Sequence, residues 1–394
     1  MKKIVCFHLY NDFSGSPKVL KVVLEGLLRK GCTVDLVTSR GGVLDRLQIT
    51  DYRLLTMVDR QRSTDNGQQL LKFRYYNYKF SGNGVVTALR YVWVQLYTLF
   101  LALGYWREDV VFYINTILPV GPAVVGWLMG KRVVYHYHEN ADVKGGMYRA
   151  LAAVMQRVAT EIVCVSEYQR SFVKRTEGVM VVPNALPREF VERAVVDVER
   201  AFERKRVLML GSLKAYKGTN EFVSLAERLP KYEFVLVQNE EQENIDDYME
   251  KNGLVVPSNL KIFARQADVV PFYAEASVVV NLSNKNQFIE TFGLTALEAM
   301  VFGLPVIVPT VGGIAEMVED GVNGWKVDVQ ELDEVAMRIE EMLEDRALYG
   351  RLAEGAVAQA ERYSQQSMVN SLQSTDNRQR STVNSQQIIG NIKF

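Results

Sequence analysis

Two carboxylates carry the strongest chemical signal in this chain. Glu290 and Glu298 bracket an apolar segment that begins Thr291-Phe292-Gly293-Leu294, and Gly303-Leu304-Pro305-Val306-Ile307 follows shortly after. If that segment is a helix, eight steps of about 100° put Glu298 roughly 80° around from Glu290 and about 12 Å along the axis. This is close to the span from the sugar ring of a nucleotide sugar to its ribose, and carboxylates accept hydrogen bonds from hydroxyls. The helix N-terminus, with the amides of Phe292, Gly293 and Leu294, would lie between the two acids and suit a diphosphate. The competing reading is a buried helix with two partly exposed acids, and the spacing alone leaves both open.

The elements that must position these residues alternate in type. Ile4–Leu9, Thr33–Thr38, Val110–Ile114, Val133–Tyr137 and Ile162–Ser166 read as buried strands, with Lys18–Lys30 and Met147–Ala159 as helices between them. The second half repeats the pattern. Val207–Leu210, Glu233–Val237, Leu260–Phe263, Ser277–Leu282 and Pro305–Val308 read as strands. Thr219–Leu229, Phe292–Phe302, Ile314–Val318 and Val335–Asp345 read as helices. Such alternation predicts an α/β protein with parallel sheets covered on both faces. Two tandem series predict two Rossmann-like, doubly wound domains facing each other across a cleft. Their expected bounds are residues 1–190 and 200–365, with a linker near Pro187–Lys205 and a polar, disordered tail over 368–394. A chain of 394 residues is too long for one ordinary core, which agrees with two domains.

Composition narrows the class. With 48% hydrophobic and 23% charged residues, a fibrous or wholly disordered chain is excluded. Cys6, Cys32 and Cys164 are far apart, each in an apolar run, so no disulfide framework or metal-ligand spacing is visible and a reducing cytoplasm is expected. The Met1–Phe7 start reads as a first buried strand rather than a signal peptide, because polar Asn11-Asp12 follows so closely. Net charge is zero, yet residues 1–195 hold 26 Lys and Arg against 16 Asp and Glu, or 26 − 16 = +10. The amino-terminal half is therefore expected to meet something anionic, or to attract the acidic half.

Three segments fall outside this scheme. Arg60–Gln69 nearly duplicates Arg378–Gln387, and both copies are polar, free of aromatics and without visible chemistry. Lys72–Phe80 interleaves basic and aromatic residues, as a surface loop, a membrane-facing segment or a nucleic-acid platform would. Val85–Trp106 is apolar and about long enough to span a bilayer, but Arg90 and Gln95 interrupt it, so a buried or cleft-lining helix is expected.

Taken with its flanks, the Glu290–Glu298 segment resembles the family 4 retaining glycosyltransferases, which have the GT-B fold. The family pattern E-x-F-G-x-x-x-x-E-A-M-x-x-G-x-P-V-I is matched by Glu290–Ile307. Its G-G-x-x-E piece is matched by Gly312–Glu316, and its G-x-N-G turn by Gly321–Gly324. The likeness covers most of residues 1–365 and is strongest from Val207 to Val327. It implies that Glu298 accepts from ribose hydroxyls and that Glu290 holds donor-sugar hydroxyls. The Phe292, Gly293 and Leu294 amides would meet the diphosphate.

The same likeness assigns further residues. In Gly211-Ser212-Leu213-Lys214-Ala215-Tyr216-Lys217-Gly218, Lys217 matches a lysine that neutralises the leaving diphosphate. Ser212 stands where the family has arginine, and Lys214 is a candidate for the missing charge. Gly15, in Phe13-Ser14-Gly15-Ser16-Pro17, matches a Gly-rich loop near donor phosphate and acceptor. His138 matches a histidine near the reacting sugar carbon, and strand alternation points His136 to the same side. Glu139 and Asn140 are candidates for the acceptor site. Ser166-Glu167 and Pro183-Asn184 also match family positions at strand ends.

The implied activity is transfer of a sugar from a nucleotide-diphosphate sugar to a hydroxyl of a saccharide or lipid-linked saccharide, with retention at the anomeric carbon. Surface-polysaccharide assembly at the inner membrane face, with peripheral contact to anionic lipid and no nucleic acid, is the expected setting. Domain closure would exclude water. No D-x-D motif accompanies the site, so neither metal nor cofactor is expected. Two rivals remain: a sugar-nucleotide epimerase on the same fold, and a catalytically silent sugar-nucleotide-binding protein.

Overall fold

A computed structural model describes residues 3–47, 70–79 and 81–373, with side chains up to residue 363. The chain divides into two compact units. The first comprises residues 1–185 and the stretch from 366 onward, and the second Leu186–Gln365. The duplicated polar segments and Phe80 lie outside the described residues. The tail expected from 368 begins inside a helix, Arg346–Gln373, and continues outside them.

The amino-terminal unit is built on a seven-stranded parallel sheet. Its strands are β1 (Lys3–His8), β2 (Thr33–Ser39), β3 (Leu71–Tyr76), β4 (Val110–Asn115), β5 (Arg132–Tyr137), β6 (Glu161–Cys164) and β7 (Val179–Val181). They lie in the order β3-β2-β1-β4-β5-β6-β7. β1 shows why both faces must be covered. Val5 and Phe7 enter one apolar cluster with Phe112, Ile114 and Tyr135, while Ile4 and Cys6 enter the opposite one with Leu20, Leu24 and Leu36. Every second residue is apolar on each face, which suits a central strand of a parallel sheet.

The second unit repeats the plan. Its sheet contains β8 (Arg206–Gly211), β9 (Glu233–Gln238), β10 (Leu260–Phe263), β11 (Val278–Val280), β12 (Val306–Val308) and β13 (Gly324–Lys326). The order is β10-β9-β8-β11-β12-β13, again all parallel. In each unit the strand order reverses direction beside the first strand, between β1 and β4 and between β8 and β11. Ligands of doubly wound sheets bind outside the carboxyl ends of the strands at such a point.

Four expectations are corrected. Lys72–Phe80 is no loop as far as Tyr76: β3 is an edge strand paired in parallel with β2, and the Tyr76 hydroxyl donates to the carbonyls of His8 and Leu9. Gly15 opens the helix Gly15–Arg29 instead of lying in a preceding loop, because Ser14, in extended conformation, already occupies the cap position. Pro187–Lys205 holds two short helices, Arg188–Glu192 and Val198–Arg204, within the second unit. The Gly84–Leu103 helix is long and apolar enough to cross a membrane by length and composition, and only 17% of its most apolar window is buried. Burial was expected there from hydrophobicity, which says how apolar a helix is but not which way its face points.

Candidate functional site

In the second unit the lysine loop leaves β8 at Gly211 and turns through a short 3-10 segment, Ala215–Lys217, into the helix Thr219–Arg228. Gly218 makes that turn at φ 85°, and a Cβ there would lie 2.3 Å from the Leu282 Cβ. Only glycine lets the loop press so closely against the segment leaving β11. Lys217 is thereby held against the loop that follows β11.

The Lys217 Nζ donates to Glu290 Oε1 at 2.5 Å. The same oxygen accepts from Ser283 Oγ at 3.0 Å and from Asn281 Nδ2 at 3.3 Å. Burial alone would raise the Glu290 carboxyl. The Lys217 charge and the three hydrogen bonds outweigh it and hold the group below its ordinary range. Lys217 also lies 3.8 Å from the centre of the Phe288 ring, which stacks on Tyr216 with ring centres 5.0 Å apart.

Glu290 does not lie on the helix. The helix runs Leu294–Val301, and Gly293 precedes it at φ 93° in the left-handed region. A Cβ on Gly293 would come within 2.4 Å of Ile314. The turn after β12 occupies that space, and its Gly313 amide donates to the Glu290 carbonyl at 2.8 Å. Gly312, at φ 111°, brings its own backbone to the same oxygen. The Gly-Gly turn therefore clamps the backbone at Glu290 and breaks the helical register that the spacing suggested. The amides of Leu294 and Thr295 head the helix, which starts two residues later than expected, while the Phe292 side chain is buried. Glu298 lies in the helix, where the buried Tyr273 hydroxyl donates to its Oε2 at 2.5 Å. Burial, and then the Glu298 charge, raise the Tyr273 phenol well above its ordinary range, so it stays a donor.

Ser212 is half-buried and Lys214 is exposed at the head of the 3-10 turn. The structure thus brings Lys217 and Glu290 together with Asn281 and Ser283. The sequence reading missed the last two, although a polar pair directly after an all-valine strand at the switch point was the available signal.

In the first unit, all three histidines of the chain converge at the carboxyl ends of β1, β4 and β5. Asn115, the last residue of β4, joins two of them. Its Nδ2 is 3.0 Å from His8 Nδ1 and its Oδ1 is 3.1 Å from His138 Nε2. The Asn115 Nδ2 also donates to the Ser16 carbonyl at 3.4 Å. That oxygen only accepts, which fixes the amide's orientation. His8 therefore accepts at Nδ1, and His138 carries its proton on Nε2.

His136 Nδ1 pairs with the Tyr113 hydroxyl at 2.8 Å, and its ring centre lies 4.0 Å from that of His138, so the two histidines do share a side. Burial pushes His8 down to about 4 and His136 to about 3. Burial and then the His136 and His8 charges hold His138 well below its usual value. All three are neutral at pH 7.

Thr116, directly after Asn115, has φ 72°, a strained conformation for a β-branched residue that costs about 1–3 kcal/mol. Its amide donates to the His136 carbonyl at 2.9 Å, and the Ile117 amide donates to Glu139 Oε2 at 3.2 Å. Asn140 and Ser166 serve as helix caps: Asn140 Oδ1 accepts from the Asp142 and Val143 amides, and Ser166 Oγ from the Gln169 amide. Asn115 and Thr116 were not singled out from sequence. Among the described residues no cluster of His, Cys, Asp and Glu is arranged to hold a metal ion.

Residues 192–359 match the model of the glycosyl transferases group 1 family. The lipopolysaccharide core biosynthesis glycosyltransferase LpsE of Rhizobium meliloti is 30% identical over 165 residues, 42% of this chain and 46% of LpsE. A D-inositol 3-phosphate glycosyltransferase of Paenarthrobacter aurescens is 30% identical over 161 residues, 37% of this chain and 38% of that protein. The chain thus spans less than half the length of these relatives. Among solved structures, Anabaena HepE in complex with UDP and glucose superposes with a TM-score of 0.68 at 20% identity, covering 95% of this chain and all of HepE. The sucrose-phosphate synthase of Thermosynechococcus elongatus superposes at 0.69 with 16% identity, covering 96% and 100%. The chain has the GT-B fold, and its residues 192–359 match the glycosyl transferases group 1 model.

Proposed function

We propose that the protein moves a sugar from a nucleotide-diphosphate sugar to a hydroxyl of a saccharide or lipid-linked saccharide. The observation that carries this reading is the Lys217–Glu290 pair at the carboxyl ends of β8 and β11, with the helix N-terminus and Glu298 downstream of it. In this reading Glu290, ionised and oriented by Asn281 and Ser283, accepts from donor-sugar hydroxyls. Lys217 and the Leu294 and Thr295 amides offset the charge that grows on the departing diphosphate. Glu298, steered by Tyr273, accepts from the ribose. Ser212 adds a neutral donor where the family resemblance implies arginine, and exposed Lys214 adds charge nearby in sequence.

The amino-terminal unit binds the acceptor in this account, and His138 contacts the donor sugar near its reacting carbon. The anomeric configuration is retained, with the departing phosphate taking the acceptor proton, and no metal is required because lysine and helix dipole replace the cation. Support for a role in surface-polysaccharide assembly comes from LpsE and from WaaG, a glycosyltransferase involved in lipopolysaccharide biosynthesis that superposes with a TM-score of 0.62 at 17% identity over 91% of this chain and 95% of WaaG.

Incubation of the full chain with a panel of nucleotide sugars and EDTA tests the reading. Slow release of the nucleoside diphosphate supports it. Epimerised sugar points to an epimerase, and binding without turnover to a silent binding protein.

A further inference from the structure

The Gly84–Leu103 helix turns an apolar face outward. At about 100° per residue, Leu89, Trp93, Leu96, Phe100 and Leu103 fall within an arc of roughly 80°, and exposed Trp106 follows the helix end. Trp93, Phe100 and Trp106 are 66%, 69% and 61% exposed. Val94, Thr98 and Ala102, on the opposite side, are buried against the unit. Polar anchors hold this orientation. The Tyr91 hydroxyl donates to the Leu118 carbonyl, and Gln95 Oε1 accepts from the Gly121 amide at 2.9 Å, where Gly121 packs closely on the Gln95 backbone. The helix is therefore fixed along the body of the unit and lies flat instead of spanning a bilayer. The neighbouring helix, Val120–Leu128, adds exposed Trp127 and Leu128 at its end. So large an outward apolar patch marks an interaction surface.

Charge selects the partner. Residues 66–109 contain five Lys and Arg against two acids, Glu108 and Asp109, and Glu108 is paired with Lys3. Arg90 donates to the Lys79 carbonyl at the head of the helix. At its far end Arg107 lies over the Trp106 ring and Lys131 Nζ donates to the Trp106 carbonyl. A second copy of the chain would set these cations against one another. An anionic lipid surface instead accepts the apolar face, seats the tryptophans at headgroup depth and meets the cations with phosphate.

We propose that this face docks the protein flat on an anionic membrane through Trp93, Phe100 and Trp106, with Lys79, Arg90 and Arg107 at the headgroups. The inference rests on the outward face of this helix and holds independently of the transfer reading. Nucleotide-sugar binding measured on the same samples reports on that reading separately.

The test is sedimentation of the full chain with vesicles of phosphatidylcholine alone or mixed with phosphatidylglycerol. The expected result is binding to the mixed vesicles that weakens with salt and falls at least about tenfold in the Trp93→Glu/Phe100→Glu variant. Both positions are exposed, and an unchanged melting temperature verifies the fold. A milder Arg90→Gln/Arg107→Gln variant lowers binding to the mixed vesicles only. Absence of vesicle binding, or equal binding by wild type and the Trp93→Glu/Phe100→Glu variant, overturns the proposal. So does a dimer, seen by analytical ultracentrifugation, that this variant dissociates.

Discussion

Lys217 and Glu290, separated by 73 residues, meet at 2.5 Å in the loops that leave β8 and β11. Each is about one-sixth exposed, and Glu290 gains two further donors from Asn281 and Ser283. A charge this sheltered persists only when it is paired and hydrogen-bonded. The pair therefore holds the Glu290 carboxyl ionised at the switch point of the second sheet.

Removing the cation should expose that dependence. Lys217→Met leaves the Glu290 carboxylate with two neutral donors and is expected to cost about 1–3 kcal/mol of stability. Glu290→Gln in the same chain should recover part of that loss, because no half-buried charge is then left unpaired. Urea unfolding of the two single variants and the double variant measures the coupling. Strict additivity would show that the pair contributes nothing.

The pH dependence of the pair has a definite sign. Glu290 has a folded pKa below its unfolded one, so its contribution is present above the ordinary glutamate range, near 4.5, and is lost as pH falls through the lower folded value. The stability difference between wild type and Glu290→Gln should be constant from pH 7 to about 5 and shrink below about 4. A difference that grew on acidification would contradict the assignment.

The histidine cluster acts over a separate window. His8 and His136 are depressed to about 4 and about 3, so the unfolded chain binds protons below pH 6.5 while the folded unit does not. Stability should fall as pH drops from 6.5 towards 4, by about 1.4 kcal/mol per pH unit for each histidine held neutral. His136→Gln removes one titrating group and should lessen the slope by about that amount. Denaturant midpoints between pH 7 and 5 provide the measurement.

Gly312 carries a geometric prediction. At φ 111°, with the Glu290 carbonyl 2.4 Å from the place a Cβ would take, Gly312→Ala must displace the backbone that holds Glu290. Loss of about 2 kcal/mol or more is expected, together with loss of turnover. Gly350→Ala is the control: nothing lies within 4 Å of its Cβ position, so its stability and turnover should stay near wild type. Thermal melts and nucleoside-diphosphate release compare the two.

The central strands were legible because burial on both faces demands continuous apolar runs: Ile4–Leu9 and Glu233–Val237 became β1 and β9 nearly to the residue. β3 was not legible, since its aromatic and basic residues fit a half-exposed edge as well as a loop. β13 is only Gly324–Lys326 and has no period to detect. Residue types at the candidate site were readable from spacing, but their placement was not. Whether Glu290 belonged to the helix was decided by Gly293 adopting a left-handed conformation and by the distant Gly312-Gly313 turn closing on the Glu290 carbonyl. Asn115 was hidden for a related reason. A lone asparagine ending an apolar strand gains meaning only when β1 and β5 bring His8 and His138 to either end of its amide.

Calorimetric titration of the full chain with a panel of nucleotide-diphosphate sugars, repeated on Glu298→Ala and Lys217→Ala, tests the central claim most directly. The account predicts that one donor binds the wild type, that Glu298→Ala weakens its binding about tenfold or more, and that Lys217→Ala chiefly lowers turnover of the same donor. Unchanged donor affinity in Glu298→Ala together with unchanged turnover in Lys217→Ala would contradict it.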